Sequence, residues 1–490
     1  MAESTWRTDL ANAARSRAVW LGFVGSLCIL LGSLSPAYLP QASPIWDWLP
    51  RSGPGLSVTK WSGTVLTLLG LMLLLESWFR LRPAARRRRG RVALRNWAVL
   101  LIVASPLLIG PPVFSHDAYS YVAHGWLLHN NLDPYQVGPG VLPGYFADQV
   151  AWVWRETPAP YGPLSLRISH LLVIVAGFDP VWAALLHRVP ALLGVGLIAY
   201  FVPRLAQLMG VSRSGASWFA TLNPILIIDF IGGAHNDSLM TGLMVFGIWL
   251  VARYKLWWLG AVVIGVATSI KQPALLASVA LPFLVRPWTE WKLKPVLDAL
   301  ARSLSSLAIA VGVFALISWA TGLGFGWINA TDVPGMVDTV SPVTILGRIL
   351  QYPATMLGLD ASGVAVFNVV RQLGTVAIVV GLVWLAILYL GKHPIRFVSW
   401  SLIWFSLCAP ALHSWYLLWG AVLLPMTGPS KKAVRAAIVA TVVLLAYNAI
   451  NFGIRNDLWT VMLIFVAALY WTIHTHELRQ PVQGDGISSD

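Results

Sequence analysis

Apolar residues in this chain come in long blocks separated by short polar loops. A helix needs about 20 mostly apolar residues to cross a bilayer, with a range of roughly 17 to 25. By that measure, spans are expected near residues 18–35, 61–79 and 97–114. After a polar stretch they resume near 181–203, 214–231, 238–252, 256–270 and 273–285. The rest are expected near 296–320, 364–390, 396–409, 415–425, 433–450 and 458–473. Several blocks fall short of a full crossing, so neighbouring ones are read as broken or paired helices. The pattern predicts an all-α polytopic membrane protein with about 14 spanning helices.

Lysine and arginine in short loops favour the cytoplasmic side. The run Arg80, Arg82, Arg86, Arg87, Arg88, Arg89, Arg91 and Arg95 therefore places the second loop inside. Counting outward, the loops with Arg204 and Arg213, Arg253 and Lys255, Arg286, Lys292 and Lys294, Lys392 and Arg396, and Lys431, Lys432 and Arg435 also fall inside. That agreement requires two apolar stretches, 164–178 and 343–359, to lie on the outer surface without crossing, and it puts both termini in the cytoplasm. We expect one membrane domain over 1–475 and a polar cytoplasmic tail over 476–490.

Composition agrees. Of 490 residues 57% are apolar and 11% charged, against about a quarter charged in soluble domains. The net charge of +14 does not indicate nucleic acid, because the basic residues sit in short loops and not along one soluble face. Cys28 and Cys408 lie in apolar blocks and provide neither a disulfide framework nor metal-ligand spacing. The polar opening to Arg17, followed by a block without a clear cleavage site, gives no sign of a cleavable signal peptide.

With this orientation the outer loops hold most of the reactive side chains. Asp117 follows directly on the third expected span. It is either a helix cap suited to the dipole or a general base for an acceptor hydroxyl. His235 and Asp237 flank Asn236 in a Gly-Gly-Ala-His-Asn-Asp stretch that suits either a turn or a functional polar group at the membrane edge. Lys271, followed by Gln272 and Pro273, either neutralises a lipid-linked phosphate or snorkels to the headgroups. His413 and His116 are candidates for phosphate donors, acid–base groups or interfacial residues. Of the 26 tryptophans, most belong in interfacial belts, while Trp126, Trp152, Trp154 and Trp415 are the ones placed to offer a face to a sugar. No Walker loop, dinucleotide fingerprint or zinc signature occurs. There is no nucleotide pool outside the membrane, so a transferase there needs a lipid-carried donor.

Residues 111–125 (PPVFSHDAYSYVAHG), 131–135 (NLDPY), 157–163 (TPAPYGP), 232–237 (GGAHND) and 414–419 (SWYLLW) together resemble the actinobacterial polyprenol-phosphomannose-dependent alpha-1,6-mannosyltransferases. The resemblance runs from about the second expected span to the last. It implies the GT-C glycosyltransferase fold, with the acidic residue early in the first large outer loop, Asp117, as catalytic base. It further implies an inverting transfer from a polyprenyl phosphate mannose donor to a lipid-anchored alpha-1,6-mannan acceptor, as in lipomannan and lipoarabinomannan backbone synthesis. Asp117 would take the proton of the acceptor 6-hydroxyl, which attacks the anomeric carbon opposite the phosphate. Lys271 would stabilise the leaving phosphate, with His235, Arg348 or His413 as further candidates, and Asp237 would orient His235. The implied substrate-binding set is His116, Tyr119, Tyr161, His235, Asp237, Lys271, Gln272, Arg348, His413 and Trp415. The polyprenyl tail would lie in a lateral groove, and the chemistry requires no metal or cofactor. Two alternatives stay open: a GT-C transferase for another lipid-linked sugar such as arabinofuranose, and a lipid-linked sugar transporter or flippase. The resemblance does not fix whether the acceptor is an early phosphatidylinositol mannoside or a longer mannan.

Overall fold

A computed structural model describes residues 5–40, 42–83, 94–330, 333–336 and 339–453. Every regular element within them is helical. Five helices are long and apolar enough to cross a membrane. They are α3 (Gly53–Arg80), α7 (Pro180–Leu208), α11 (Leu293–Ala320), α13 (Asp360–Leu390) and α15 (Lys431–Gly453). The count reaches seven if each bent pair is one span. One such pair is α1 (Trp6–Ala14) with α2 (Arg17–Ser33), bent by 78°. The other is α8 (Arg213–Thr221) with a π-helical turn over Leu226–Gly232, bent by 56°. Long rows of exposed leucine and valine on α11 and α13 are the surface expected against lipid, since soluble monomers rarely expose large apolar patches. The chain is a helical membrane protein.

Several expected spans are interrupted, and the cause is proline in most cases. The block at 97–114 forms α4 (Asn96–Ala104) and then a 3₁₀ turn, Ser105–Leu108, with Pro106 near its start. The block at 273–285 is 3₁₀ helix over Gln272–Leu284, beginning next to Pro273 and holding Pro282. It packs back on α10 (Trp257–Thr268) as a hairpin broken at Lys271. After α14 (Pro394–Cys408), the block at 415–425 divides into Ser414–Leu417, Leu418–Ala421 and Leu424–Thr427, the last opening beside Pro425. A ring in place of an N–H removes one backbone bond and crowds the preceding turn. The two stretches expected not to cross form α6 (Pro163–Val175) and α12 (Pro342–Met356), each shorter than the roughly 20 residues of a crossing. The expected span at 458–473, most of the arginine run and the tail lie outside the described residues.

Packing between the helices is close. A Cβ added to Gly70 on α3 would come 2.6 Å from the Gly25 carbonyl on α2, so the backbones meet there without side chains between them. Trp78 and Trp218 stack at 4.9 Å and each donates its indole N–H to the other's carbonyl, at 3.2 and 2.8 Å. That exchange fixes α8, and through it the π turn, against α3. Arg188 on α7 is buried and donates to the carbonyls of Leu108, Pro111, Ile231 and Gly232 at 3.0–3.4 Å. Val113 N–H also donates to Gly232 at 3.2 Å. One guanidinium therefore joins the segment leading to Asp117 to the segment leading to His235.

Candidate active site

Two helix starts build the centre. Asp117 opens α5 (Asp117–His129), and Asp237 opens α9 (Asp237–Tyr254). A carboxylate at a helix N-terminus is favoured by the dipole, so both acids fit their positions locally before any question of function. Their partners then separate them.

Asp117 has its N–H on Ser115 Oγ at 3.1 Å, and its Oδ2 lies 3.5 Å from His235 Nδ1. Burial pushes its pKa up to about 6. Lys271 opposes that rise, Asp237 adds to it, and hydrogen bonds from Ser115 and Tyr121 oppose it. An acid held near neutrality is suited to accept a proton in a reaction. Its side chain keeps 24% of its surface exposed, whereas the His235 side chain has none. Burial, then the positive Lys271 and the neighbouring His413, hold the His235 imidazole well below its usual pKa. It is therefore neutral, and it is hydrogen-bonded rather than ion-paired. Its Nδ1 also lies 3.3 Å from Tyr121 Oη, which donates to Asn236 Oδ1 at 3.4 Å. Asn236 in turn donates to Ser165 Oγ at 3.0 Å.

Asp237 was expected to orient His235, and the structure places it elsewhere. Both its oxygens accept from Lys271 Nζ at 2.9 Å, and Oδ1 also accepts from Trp419 Nε1 at 2.7 Å. Lys271 sits in the break of the hairpin, 4.9 Å over the Tyr416 ring and 5.6 Å over Trp419. A buried pair needs such geometry to offset the loss of hydration. The ammonium expected to meet a phosphate is thus already partnered. It is held in place by the Tyr161–Pro163 region, where Gly162 N–H and Leu164 N–H donate to the Ile270 and Ser269 carbonyls, both at 3.0 Å.

On the other face of His235 lies Trp415, with ring centroids 3.8 Å apart, and beyond it His413 at 4.6 Å. Two imidazoles thus stack on Trp415. Trp126 stacks on His129 and on Phe146, while Trp152 is 70% exposed. Burial and Lys271 push His413 down to about 4, so it is neutral too. Tyr161 meets Tyr121 edge-on at 4.8 Å.

Of the residues singled out from sequence, the fold gathers Asp117, Tyr161, His235, Asp237, Lys271, His413 and Trp415 into one cluster. Gln272 follows Lys271 and is half-buried. Tyr119 lies two residues past Asp117, hence on the opposite side of α5, edge-on to His116. His116 itself hydrogen-bonds the Tyr38 carbonyl at 3.0 Å. Arg348 on α12 bonds Gln351 at 2.7 Å and lies 4.3 Å over Phe367.

Four residues of the cluster were not anticipated. Tyr121 shares a face with Asp117 at i+4. Trp419 caps the ion pair. Arg188 clamps the loops. Asp229, fully buried on the π turn, accepts from Ser414 Oγ, which accepts from Asn448 at 2.7 Å. A carboxylate inside an apolar block was the available signal for Asp229. Among the described residues no group of three or more His, Cys, Asp or Glu side chains is arranged to hold a metal. A depression of about 710 Å³ along Ser57–Leu69 of α3 shares no residue with this cluster.

A family model described as "Alpha-(1->6)-mannopyranosyltransferase, N-terminal domain" matches residues 19–290, which hold Asp117, His235, Asp237 and Lys271. The chain belongs to this family. A second model, the MptB C-terminal domain, matches 343–476, which includes His413 and Trp415. Among its relatives, an alpha-(1->6)-mannopyranosyltransferase A of Mycobacterium tuberculosis is 33% identical over 85% of this chain and 81% of its own length. A second alpha-(1->6)-mannopyranosyltransferase of that organism is 31% identical over 93% and 85%. A probable one of Mycolicibacterium smegmatis is 32% identical over 82% and 78%. Family membership supports mannosyltransferase activity, which needs a sugar donor and an acceptor, and the cluster is the place to seek its chemistry.

Proposed function

We propose that this chain is an inverting alpha-1,6-mannosyltransferase that takes mannose from polyprenyl phosphate mannose and adds it to a lipid-anchored mannan at the outer face of the cell membrane. The observation that carries the reading is Asp117. It is a partly exposed carboxylate at a helix start, raised towards neutrality by burial and backed by a neutral imidazole. Asp117 accepts the proton of the acceptor 6-hydroxyl as that oxygen attacks the anomeric carbon. The bond to the phosphate breaks on the opposite face and the polyprenyl phosphate departs. Lys271, buried beside Asp237, supplies the positive field for that charge, in a site where low dielectric makes fixed charges count for more. The GT-C fold with about 14 spans, both termini in the cytoplasm and outer helices over the sugars belong to the same reading.

The test uses membranes carrying wild type or Asp117→Asn, labelled polyprenyl phosphate mannose and a short alpha-1,6-mannoside. An alpha-1,6 product from the wild type only is the expected result. Product from a different lipid-linked sugar alone refutes the donor. Label carried across a liposome without a new glycosidic bond refutes the transferase.

A further inference from the structure

Three polar atoms of this cluster are buried without a hydrogen-bond partner among the described residues: Asp229 Oδ1, His235 Nε2 and Trp415 Nε1. They belong to one locality. His235 stacks on Trp415. The residue before Trp415, Ser414, binds the other oxygen of Asp229. His235 N–H reaches the Asp229 carbonyl at 3.5 Å. Buried polar atoms are nearly always paired, and leaving one unpaired is costly. Three in one place mark an arrangement that something else completes.

Their chemistry says what. His235 Nδ1 faces the Asp117 carboxylate and a tyrosine hydroxyl that donates elsewhere. A neutral ring therefore carries its proton on Nδ1 and presents Nε2 as an acceptor. Asp229 Oδ1 is also an acceptor, and Trp415 Nε1 only a donor. A phosphodiester, which brings acceptors alone, satisfies the indole but leaves the His235 acceptor unmet. Hydroxyls, which both donate and accept, match all three atoms. Nε2 is on the ring edge away from Asp117, so the hydroxyls belong to the sugar that Asp117 does not deprotonate. Gly233 keeps this edge open, since a Cβ there would stand 3.1 Å from Nε2.

We infer that Asp229, His235 and Trp415 form a subsite that reads hydroxyl groups of the donor sugar. The inference rests on the mannosyl-transfer reading above. It assigns His235 to the sugar ring and leaves phosphate charge to Lys271. Because the three atoms are closed from solvent, the inference requires the 411–416 segment to shift when the sugar ring enters. The π turn beneath is a local irregularity of the kind that recurs at functional sites.

The experiment compares wild type, Asp229→Asn and Trp415→Phe on polyprenyl phosphate mannose and on a panel of donors each lacking one hydroxyl. Trp415→Phe keeps a ring in the stack and removes the N–H, and it carries the test if Asp229→Asn does not fold. The expected result is that loss of one particular hydroxyl costs the wild type roughly ten- to hundred-fold in kcat/KM, while the variants are nearly indifferent to that deletion. If each variant loses the same factor on every donor, the three residues are structural and the inference is overturned. If wild type transfers nothing from the parent donor, the functional reading fails, and this inference with it.

Discussion

Replacing Lys271 with methionine removes the cation that Asp237 holds through both oxygens at 2.9 Å while keeping much of the apolar stem. Asp237 is then buried with Trp419 as its remaining described donor. Removing one member of a buried pair costs about 3–5 kcal/mol, because the other charge is left uncompensated. A marked fall in apparent melting temperature is expected, read by intrinsic fluorescence in detergent or nanodiscs.

The same change has an electrostatic signature. Lys271 lowers the pKa of Asp117 and Asp237 raises it. A base must be ionised to act, so the acid limb of kcat/KM follows the Asp117 pKa, about 6. Without Lys271 the protonated form is favoured and the limb moves to higher pH, by on the order of one unit for a nearby charge at an effective dielectric near 20. Asp237→Asn moves it the other way. The absolute rate also drops in Lys271→Met through loss of the field on the phosphate, but the position of the limb is independent of its height. Limbs that move together, or not at all, would refute the assignment of Asp117 as the titrating base.

Asp117→Asn should lower kcat/KM by roughly 10²–10⁴ and at the same time stabilise the protein. A native pKa raised from 3.8 to about 6 means that ionisation works against folding. The wild type is thus relatively most stable below pH 4 and loses ~3 kcal/mol as pH rises through 6. The melting gain of Asp117→Asn should be large at pH 8 and small at pH 4.5, and an equal gain at both would exclude the raised pKa. Tyr121→Phe, which removes the hydroxyl beside His235 Nδ1, should cost about 1 kcal/mol, roughly five-fold in kcat/KM, and Tyr121→Leu appreciably more. Arg188→Lys should destabilise nearly as much as Arg188→Met, measured by melting. One ammonium cannot reproduce the guanidinium fork that serves four carbonyls, and full rescue by lysine would count against the clamp.

Helices were legible where an apolar block ran unbroken, as in α3, α7, α11, α13 and α15. Short blocks were read as broken or paired helices, and breaks do occur where hydropathy stays high, beside Pro106 and Pro425 and at the hairpin break at Lys271. A scale that sums transfer energies does not register a missing N–H. The candidate cluster was legible to the extent that its residues sit in polar loops at helix starts, which is how Asp117, His235, Asp237 and Lys271 stood out. Arg188 and Asp229 were hidden by the apolar blocks around them, and Tyr121 was passed over for Tyr119 because the choice depends on the phase of α5.

Partnership is the part that no local pattern carries. Asp117 and Asp237 are alike in the sequence: each is an acid next to a histidine or near one, and each opens a helix. Lys271, 34 residues beyond Asp237, could have met either. The hairpin break at Lys271 delivers the ammonium to Asp237, and Trp419 closes that pair off. The Arg188 clamp brings the start of α5 to His235 instead. One carboxylate is thereby neutralised in place, and the other is left beside a neutral ring with part of its surface open. Division of labour between two similar acids follows from which partner each receives, and that is settled by contacts between segments far apart in the chain.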